Sequence, residues 1–241
     1  MRVRPGARCI AALALAAVLA GCGVVPGPPP PVPTSVVPPV ASATTAADVS
    51  PDGFDTAHRI ALRLRAVDCD GLATGSGFAI DAHTLVTARH VVDESSSVQV
   101  STYDGHDVVT TAAEIARDAD LAVVRTRDAL PVAPELADAD PAVGDRVIVV
   151  GYPLGKALRV TTGHVTRARD DPLHENAAPV LVTDAPVEPG SSGSPVLDDD
   201  GHVVGVVYAK GQDDTTFFVP VSTLRSMLDD EDAFVPTPGC S

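Results

Sequence analysis

The sequence predicts an all-β domain, either a sandwich, a barrel or two small barrels. Two observations lead there. Beyond residue 54 the chain breaks into short, valine-rich runs of strand length, each bounded by Asp, Gly or charged residues. Helical periodicity is scarce in the same stretch. The best helix is Ser222–Asp229, where Leu224 and Leu228 lie four apart on one face and Ser222 is placed to cap the start.

Taken in order, the first strands read Arg59–Val67, Gly75–Ile80, Thr84–Thr87, Ser97–Ser101 and Leu121–Arg125. A break at Asp128–Asp140 follows. The rhythm resumes with Arg146–Tyr152, Leu158–Arg169, Pro179–Thr183, Ser194–Leu197, His202–Ala209 and Thr215–Val219. A short turn is expected after His90.

The ends of the chain have a different character. Arg2, Arg4 and Arg8 precede an apolar run from Cys9 to Ala20 that is too short for a comfortable membrane span, the layout of a secretory leader. Its close, Leu19-Ala20-Gly21-Cys22, resembles a bacterial lipobox, which implies cleavage before Cys22 and a diacylglyceryl anchor on its sulfur. The following residues are dominated by proline and lack aromatics, the composition of an extended spacer. The organisation is therefore a leader at 1–21, a lipidated cysteine and linker at 22–53, a folded domain at 54–232 with halves at about 54–135 and 136–232, and a tail at 233–241. An exported chain on the outer side of the cell membrane is expected.

The formal net charge is −15, and loss of the three leader arginines takes it to −18, which makes nucleic acid a poor partner. The Asp198–Asp200 and Asp229-Asp230 runs read as solvated turns without EF-hand spacing. Of four cysteines, Cys9 leaves with the leader and Cys22 is the lipid site, so Cys69 and Cys240 remain as an expected disulfide. A loop that long would contribute about 5 kcal/mol in chain-entropy terms. His58, His83, His106, His164, His174 and His202 lack metal-ligand spacing, and neither a metal nor a cofactor is expected.

Three segments carry chemistry. Leu85-Val86-Thr87-Ala88-Arg89-His90 is an apolar strand ending at a histidine. In Asp118-Ala119-Asp120-Leu121-Ala122-Val123-Val124 an acid directly precedes a strand, and Asp120 is preferred to Asp118 for that reason. Glu188-Pro189-Gly190-Ser191-Ser192-Gly193-Ser194-Pro195 sets a serine in a tight glycine-flanked turn. Serine is a weak nucleophile that needs a base in contact, histidine titrates near neutrality, and a carboxylate holds the histidine in one tautomer. Each segment alone is commonplace, but the order His, Asp, Ser is informative. It opposes an α/β-hydrolase, whose order is Ser, acid, His and whose elbow needs glycine where Ser194 stands.

These segments resemble trypsin-like serine proteases, and among them the HtrA/Deg branch. Thr74-Gly75-Ser76-Gly77-Phe78, Thr87–Val92, Asp120–Val123, Val143-Gly144-Asp145, Gly151–Gly155, Thr162–Val165, Thr183–Pro195, Gly205-Val206-Val207 and Phe218-Val219-Pro220 carry the likeness. It implies two six-stranded antiparallel β-barrels with a short C-terminal helix and a cleft between them. His90 would be the general base, Asp120 its orienter and Ser192 the nucleophile, with the backbone N–H groups of Gly190 and Ser192 forming an oxyanion hole. The substrate would be a protein or peptide.

The chain departs from that pattern at Ser191, Ser194, Arg89 and Val91, and only eleven residues follow Asp230, so no PDZ domain is expected in it. The pocket for the side chain before the scissile bond would come from about Ala185–Glu188 and Val206–Lys210, with Pro186 at its floor. That predicts small to medium apolar residues there. A catalytically weak regulatory lipoprotein on the same scaffold and an esterase are the competing readings. The oligomeric state is not encoded legibly.

Overall fold

The computed structural model describes residues 55–69 and 71–238. The leader, Cys22, the proline-rich linker and Cys240 lie outside the described residues. No helix among the described residues is long and apolar enough to cross a membrane.

A five-residue helix α1 (Thr56–Ile60), whose Asp55 carboxylate accepts the His58 N–H, leads into β1 (Ala61–Val67). Strand β2 (Leu72–Ala79) returns antiparallel, and β3 (Thr84–Thr87) ends at the one-turn helix α2 (Arg89–Val92). Then come β4 (Ser97–Ser101), β5 (Asp107–Val108), β6 (Thr110–Ala116) and β7 (Ala122–Thr126). The second half holds β8 (Arg146–Gly151), β9 (Arg159–Arg169), β10 (Val180–Thr183), β11 (Pro195–Leu197), β12 (Val203–Lys210) and β13 (Thr216–Pro220). Helix α3 (Val221–Leu228) and β14 (Phe234–Pro236) close the described chain.

The all-β class is borne out, with a refinement. Strands β10-β13-β12-β11-β8-β9 form a closed six-stranded barrel. The first half is an eight-stranded sheet, β14-β6-β7-β3-β2-β1-β4-β5, curled but open rather than a closed six-stranded barrel. Its extra strand β14 arrives from the chain end, pairing Phe234 with Ala116 and Pro236 with Glu114.

The alternation of β1 shows why the sheet curls over a core. Leu62, Leu64 and Ala66 are buried while Arg65 and Val67 face solvent. Leu62 and Leu64 pack with Leu85, Val92, Val100 and Val124 inside the first sheet. Val147, Val149, Leu181, Val196, Val207 and Phe218 fill the barrel. A third cluster joins the halves, bringing Phe78, Val86, Leu121 and Val123 onto Val150, Val182, Val206 and Leu224. Each such side chain contributes about 1.5–3 kcal/mol on full burial. The five residues Gly75–Ala79 of β2 are all buried because the sheet core covers one side and the serine-bearing loop the other.

The helix expected at Ser222–Asp229 is observed one residue earlier, but Ser222 does not cap it. Asp140 of the inter-half connection does so instead, accepting both the Ser222 N–H at 2.8 Å and its hydroxyl at 2.6 Å. Arg225 fastens that connection to α3 by donating to the carbonyls of Leu136 and Ala137.

Candidate active site

His90 lies in the single turn of α2, directly after buried β3. The first N–H groups of a helix have no partner within it, and Ala88 offers no side-chain cap. Asp120 fills that role: its Oδ1 accepts the His90 backbone N–H at 3.0 Å. Its Oδ2 lies 2.6 Å from His90 Nδ1. Asp120 is buried, whereas the His90 side chain is 49% exposed. A carboxylate can only accept, so the ring proton sits on Nδ1 and Nε2 is left to take a proton. Burial alone would lower the His90 pKa, but the hydrogen bond and charge of Asp120, with the charge of Glu175, raise it above the ordinary value. Arg89 opposes this weakly, because it points away from the ring to pair with Glu175 at 2.5 Å.

Ser192 sits between two glycines of positive φ, Gly190 at +92° and Gly193 at +84°. Bonds from Gly193 N–H to the Val207 carbonyl (2.7 Å) and from Val207 N–H to the Ser194 carbonyl (3.0 Å) fasten this turn to β12. Ser76 of β2 grips the turn from the first half. Its N–H donates to the Ser192 carbonyl at 2.8 Å, and its hydroxyl donates to the Gly190 carbonyl at 2.9 Å. The same hydroxyl accepts the Tyr152 N–H at 2.8 Å. Gly75 packs between Val91, the residue after His90, and the Ser192 carbonyl, so β2 brings the histidine turn and the serine turn together.

Four successive carbonyls of the serine turn are therefore engaged. Leu154 N–H donates to that of Pro189 at 2.6 Å, Ser76 holds those of Gly190 and Ser192, and Ser194 N–H donates to that of Ser191 at 3.0 Å. Among the described residues, the N–H groups of Ser191, Gly193 and Ser194 have internal acceptors, while those of Gly190 and Ser192 have none. The two unspent donors are the pair expected from the sequence. The Ser192 Oγ lies 3.5 Å from the Tyr208 carbonyl and makes no hydrogen bond to His90; such contacts commonly tighten only with substrate bound.

Beside Ser191 opens a cavity of about 260 Å³. Pro186, Val187, Glu188 and Lys210 of the expected segments line it, but so do Val149, Gly151 and Pro153 and, from β9, Arg159 and Thr161. The charges at its edge are paired, Lys210 with Asp214 at 2.9 Å and Arg159 with Glu188 at 3.5 Å. Elsewhere, Asp198, Asp200 and His202 bring ligand atoms within 4.8 Å of one another on the β11–β12 turn. There the Asp198 carboxylate accepts the N–H groups of Asp200 and His202 and so shapes the turn.

The β9–β10 loop was not singled out from the sequence. Its Asn176 Oδ1 accepts the Asp120 N–H at 2.9 Å, and Asp171 binds Asn176 and Tyr208. Nothing in the local sequence marks these residues, because the links that carry them to Asp120 and Tyr208 span 56 and 37 positions.

Residues 75–206 match the model of the trypsin-like peptidase domain, a span that includes His90, Asp120, Gly190 and Ser192. The chain is 32% identical over 164 residues to the mitochondrial serine protease HTRA2 of Bos taurus, covering 65% of this chain and 36% of that protein. It is 35% identical over 161 residues to the serine protease Do-like HtrA of Bacillus subtilis, covering 61% and 35%. The chain thus spans little more than a third of the length of these two curated relatives. Among solved structures, it is similar to the active form of the Rv3671c protease from M. tuberculosis, with TM-score 0.67, 26% identity and coverage of 76% and 86%. The HtrA-type protease AlgW with tripeptide, at TM-score 0.63, 24% identity and coverage of 71% and 60%, shares the fold. Fold, matched span and relatives agree: this chain belongs to the trypsin-like peptidase domain family.

Proposed function

We propose that this protein is a serine endopeptidase of the HtrA type. In this reading His90 takes the Ser192 proton as Ser192 attacks the peptide carbonyl, and Asp120 holds the imidazolium that forms. The tetrahedral oxyanion is bound by the N–H groups of Gly190 and Ser192. His90 then returns the proton to the leaving amine, giving an acyl-enzyme that water hydrolyses by the same steps in reverse. The observation that carries the reading is the pair of unspent N–H groups beside Ser192, with His90 held by Asp120 at 2.6 Å. Aligned donors of this kind are worth about 2.7–4 kcal/mol each in the transition state.

The substrate class is protein or peptide. The cavity lined by Pro186 and Val187 favours a small to medium apolar side chain before the scissile bond. Equal or faster cleavage after Arg or Lys in a peptide-library profile would overturn that preference. The same proposal has the chain exported, cleaved before Cys22 and anchored by lipid outside the cytoplasm, with residues 54–232 as the peptidase domain and 233–241 as a tail whose strand β14 joins the first sheet. A disulfide between Cys69 and Cys240 fits the path of the chain: the Cys69 Sγ lies 3.6 Å from the Glu94 carbonyl, and Thr237 donates to the Val92 carbonyl nearby. Intact-mass measurement with and without reductant, and of the membrane-extracted chain, tests both modifications.

One observation favours a second reading, a binding or regulatory lipoprotein of little turnover: Ser192 Oγ contacts the Tyr208 carbonyl and not His90. Labelling of the exported protein with a fluorophosphonate separates the two. Labelling that vanishes in Ser192→Ala and His90→Ala is the expected result. A folded protein that fails to label would favour the regulatory reading.

A further inference from the structure

The β9–β10 loop carries a buried carboxylate that the proposed chemistry does not use. Asp171 is 5% exposed. Its Oδ1 accepts the Leu173 N–H at 2.9 Å and the Tyr208 hydroxyl at 2.6 Å. Its Oδ2 accepts the N–H groups of Glu175 and Asn176 and the Asn176 side-chain amide, each at 2.9 Å. A buried carboxylate is costly unless its lone pairs are filled, and here five donors converge on it.

Four of these donors belong to three residues that continue to the triad. Because the carboxylate accepts only, it fixes which end of the Asn176 amide faces it. The Nδ2 group turns to Asp171, so Oδ1 faces the Asp120 backbone N–H at 2.9 Å. Tyr208 gives its phenol to Asp171, and its own carbonyl is the group 3.5 Å from Ser192 Oγ. Glu175, whose N–H is held by Asp171, reaches Arg89, the residue before His90. One carboxylate thus ties a single loop to the segments bearing all three triad members.

We propose that Asp171 is a positioning residue of this site: it orients the Asn176 amide that holds Asp120 and anchors the side chain of Tyr208, whose backbone carbonyl lies beside Ser192. It acts through those groups and does not touch substrate. The inference rests on the peptidase reading above. It differs from a merely structural role, in which Asp171 only closes a surface loop.

The test is Asp171→Asn in the full exported protein. An amide at this position turns its NH2 either toward the Asn176 amide, which breaks that link, or toward Tyr208, where the phenol must reverse to accept and the Leu173 N–H loses its acceptor, so either way the loop loses part of its anchor. The expected result is a fall of about 10- to 100-fold in kcat, the size that misplacement from outside the site produces, with KM changed less than about twofold. The downfield proton resonance of His90 Nδ1 shifts or broadens in parallel. Asn176→Ala keeps the carboxylate and its Tyr208 bond but removes the link to Asp120, and it should reproduce both effects. If Asp171→Asn folds with unchanged kcat and an unchanged His90 resonance, the proposal is wrong. If that variant fails to fold, Asn176→Ala decides alone, and wild-type kcat and resonance there overturn it. If the wild-type protein neither labels nor cleaves, the peptidase reading fails, while the His90 resonance still judges the positioning role without turnover.

Discussion

Gly190→Ala tests the serine turn where left-handed backbone meets a close backbone contact. Gly190 has φ of +92°, a region an L side chain rarely adopts. A Cβ there would lie 2.6 Å from the Leu154 nitrogen, 2.9 Å from the Tyr152 oxygen and 3.1 Å from the Gly155 nitrogen. All three are backbone atoms, so no side chain can swing aside. Left-handed backbone at a residue bearing a Cβ costs about 1–2 kcal/mol before any clash, so the peptide carrying the Gly190 N–H must shift. Losing that donor is expected to cost about 2.7–4 kcal/mol, or about 100- to 1000-fold in kcat, with little change in KM. Fluorophosphonate labelling, steady-state peptide cleavage and a urea melt separate damage to the site from damage to the fold. A folded Gly190→Ala that keeps kcat within about threefold would refute the assignment of Gly190 to the oxyanion hole.

Three further outcomes are expected. His90 must be neutral to accept a proton and its pKa is raised, so the acid limb of kcat/KM should lie above about 6.5. Because the folded pKa exceeds the unfolded one, the associated stability is fully present below the unfolded value and is lost as pH rises through the folded value. Glu175→Gln removes one raising charge and leaves Arg89 unopposed, so the limb should move to lower pH; an unchanged or upward limb would count against this account. Among the described residues Ser194 Oγ is buried without a hydrogen-bond partner, so Ser194→Ala should raise stability in urea by about 1 kcal/mol. A marked loss would show that the hydroxyl is satisfied after all.

Local chemistry was legible in the sequence and distant chemistry was not. Valine-rich runs such as Arg146–Tyr152 announce their strands because packing favours β-branched residues. Strand β6 carries little such mark: Thr110–Ala116 has a single branched apolar residue, Ile115, and its Thr111 and Ala112 side chains are exposed. Strand β14 is three residues long and ends in proline. The segments around His90, Asp120 and Ser192 stand out because each needs a strand end or a glycine turn written beside it. The hydroxyl of Ser76 that grips Gly190 lies 114 positions away, and the Asp140 cap of α3 lies 82 away from Ser222. Such pairings follow from the folded path of the chain, and no local pattern carries them.

The grip of Ser76 on the serine turn also bears on how the molecule becomes competent. The loop around Ser192 belongs to the second half, yet two of its carbonyls are held by a strand of the first. Asp120, from the first half, in turn leans on Asn176 of the second. Each half therefore withholds from the other a part without which its own contribution is misaligned. A partly folded chain therefore has no half in which the site is complete. Ordering of the site becomes a report that both halves have formed and met.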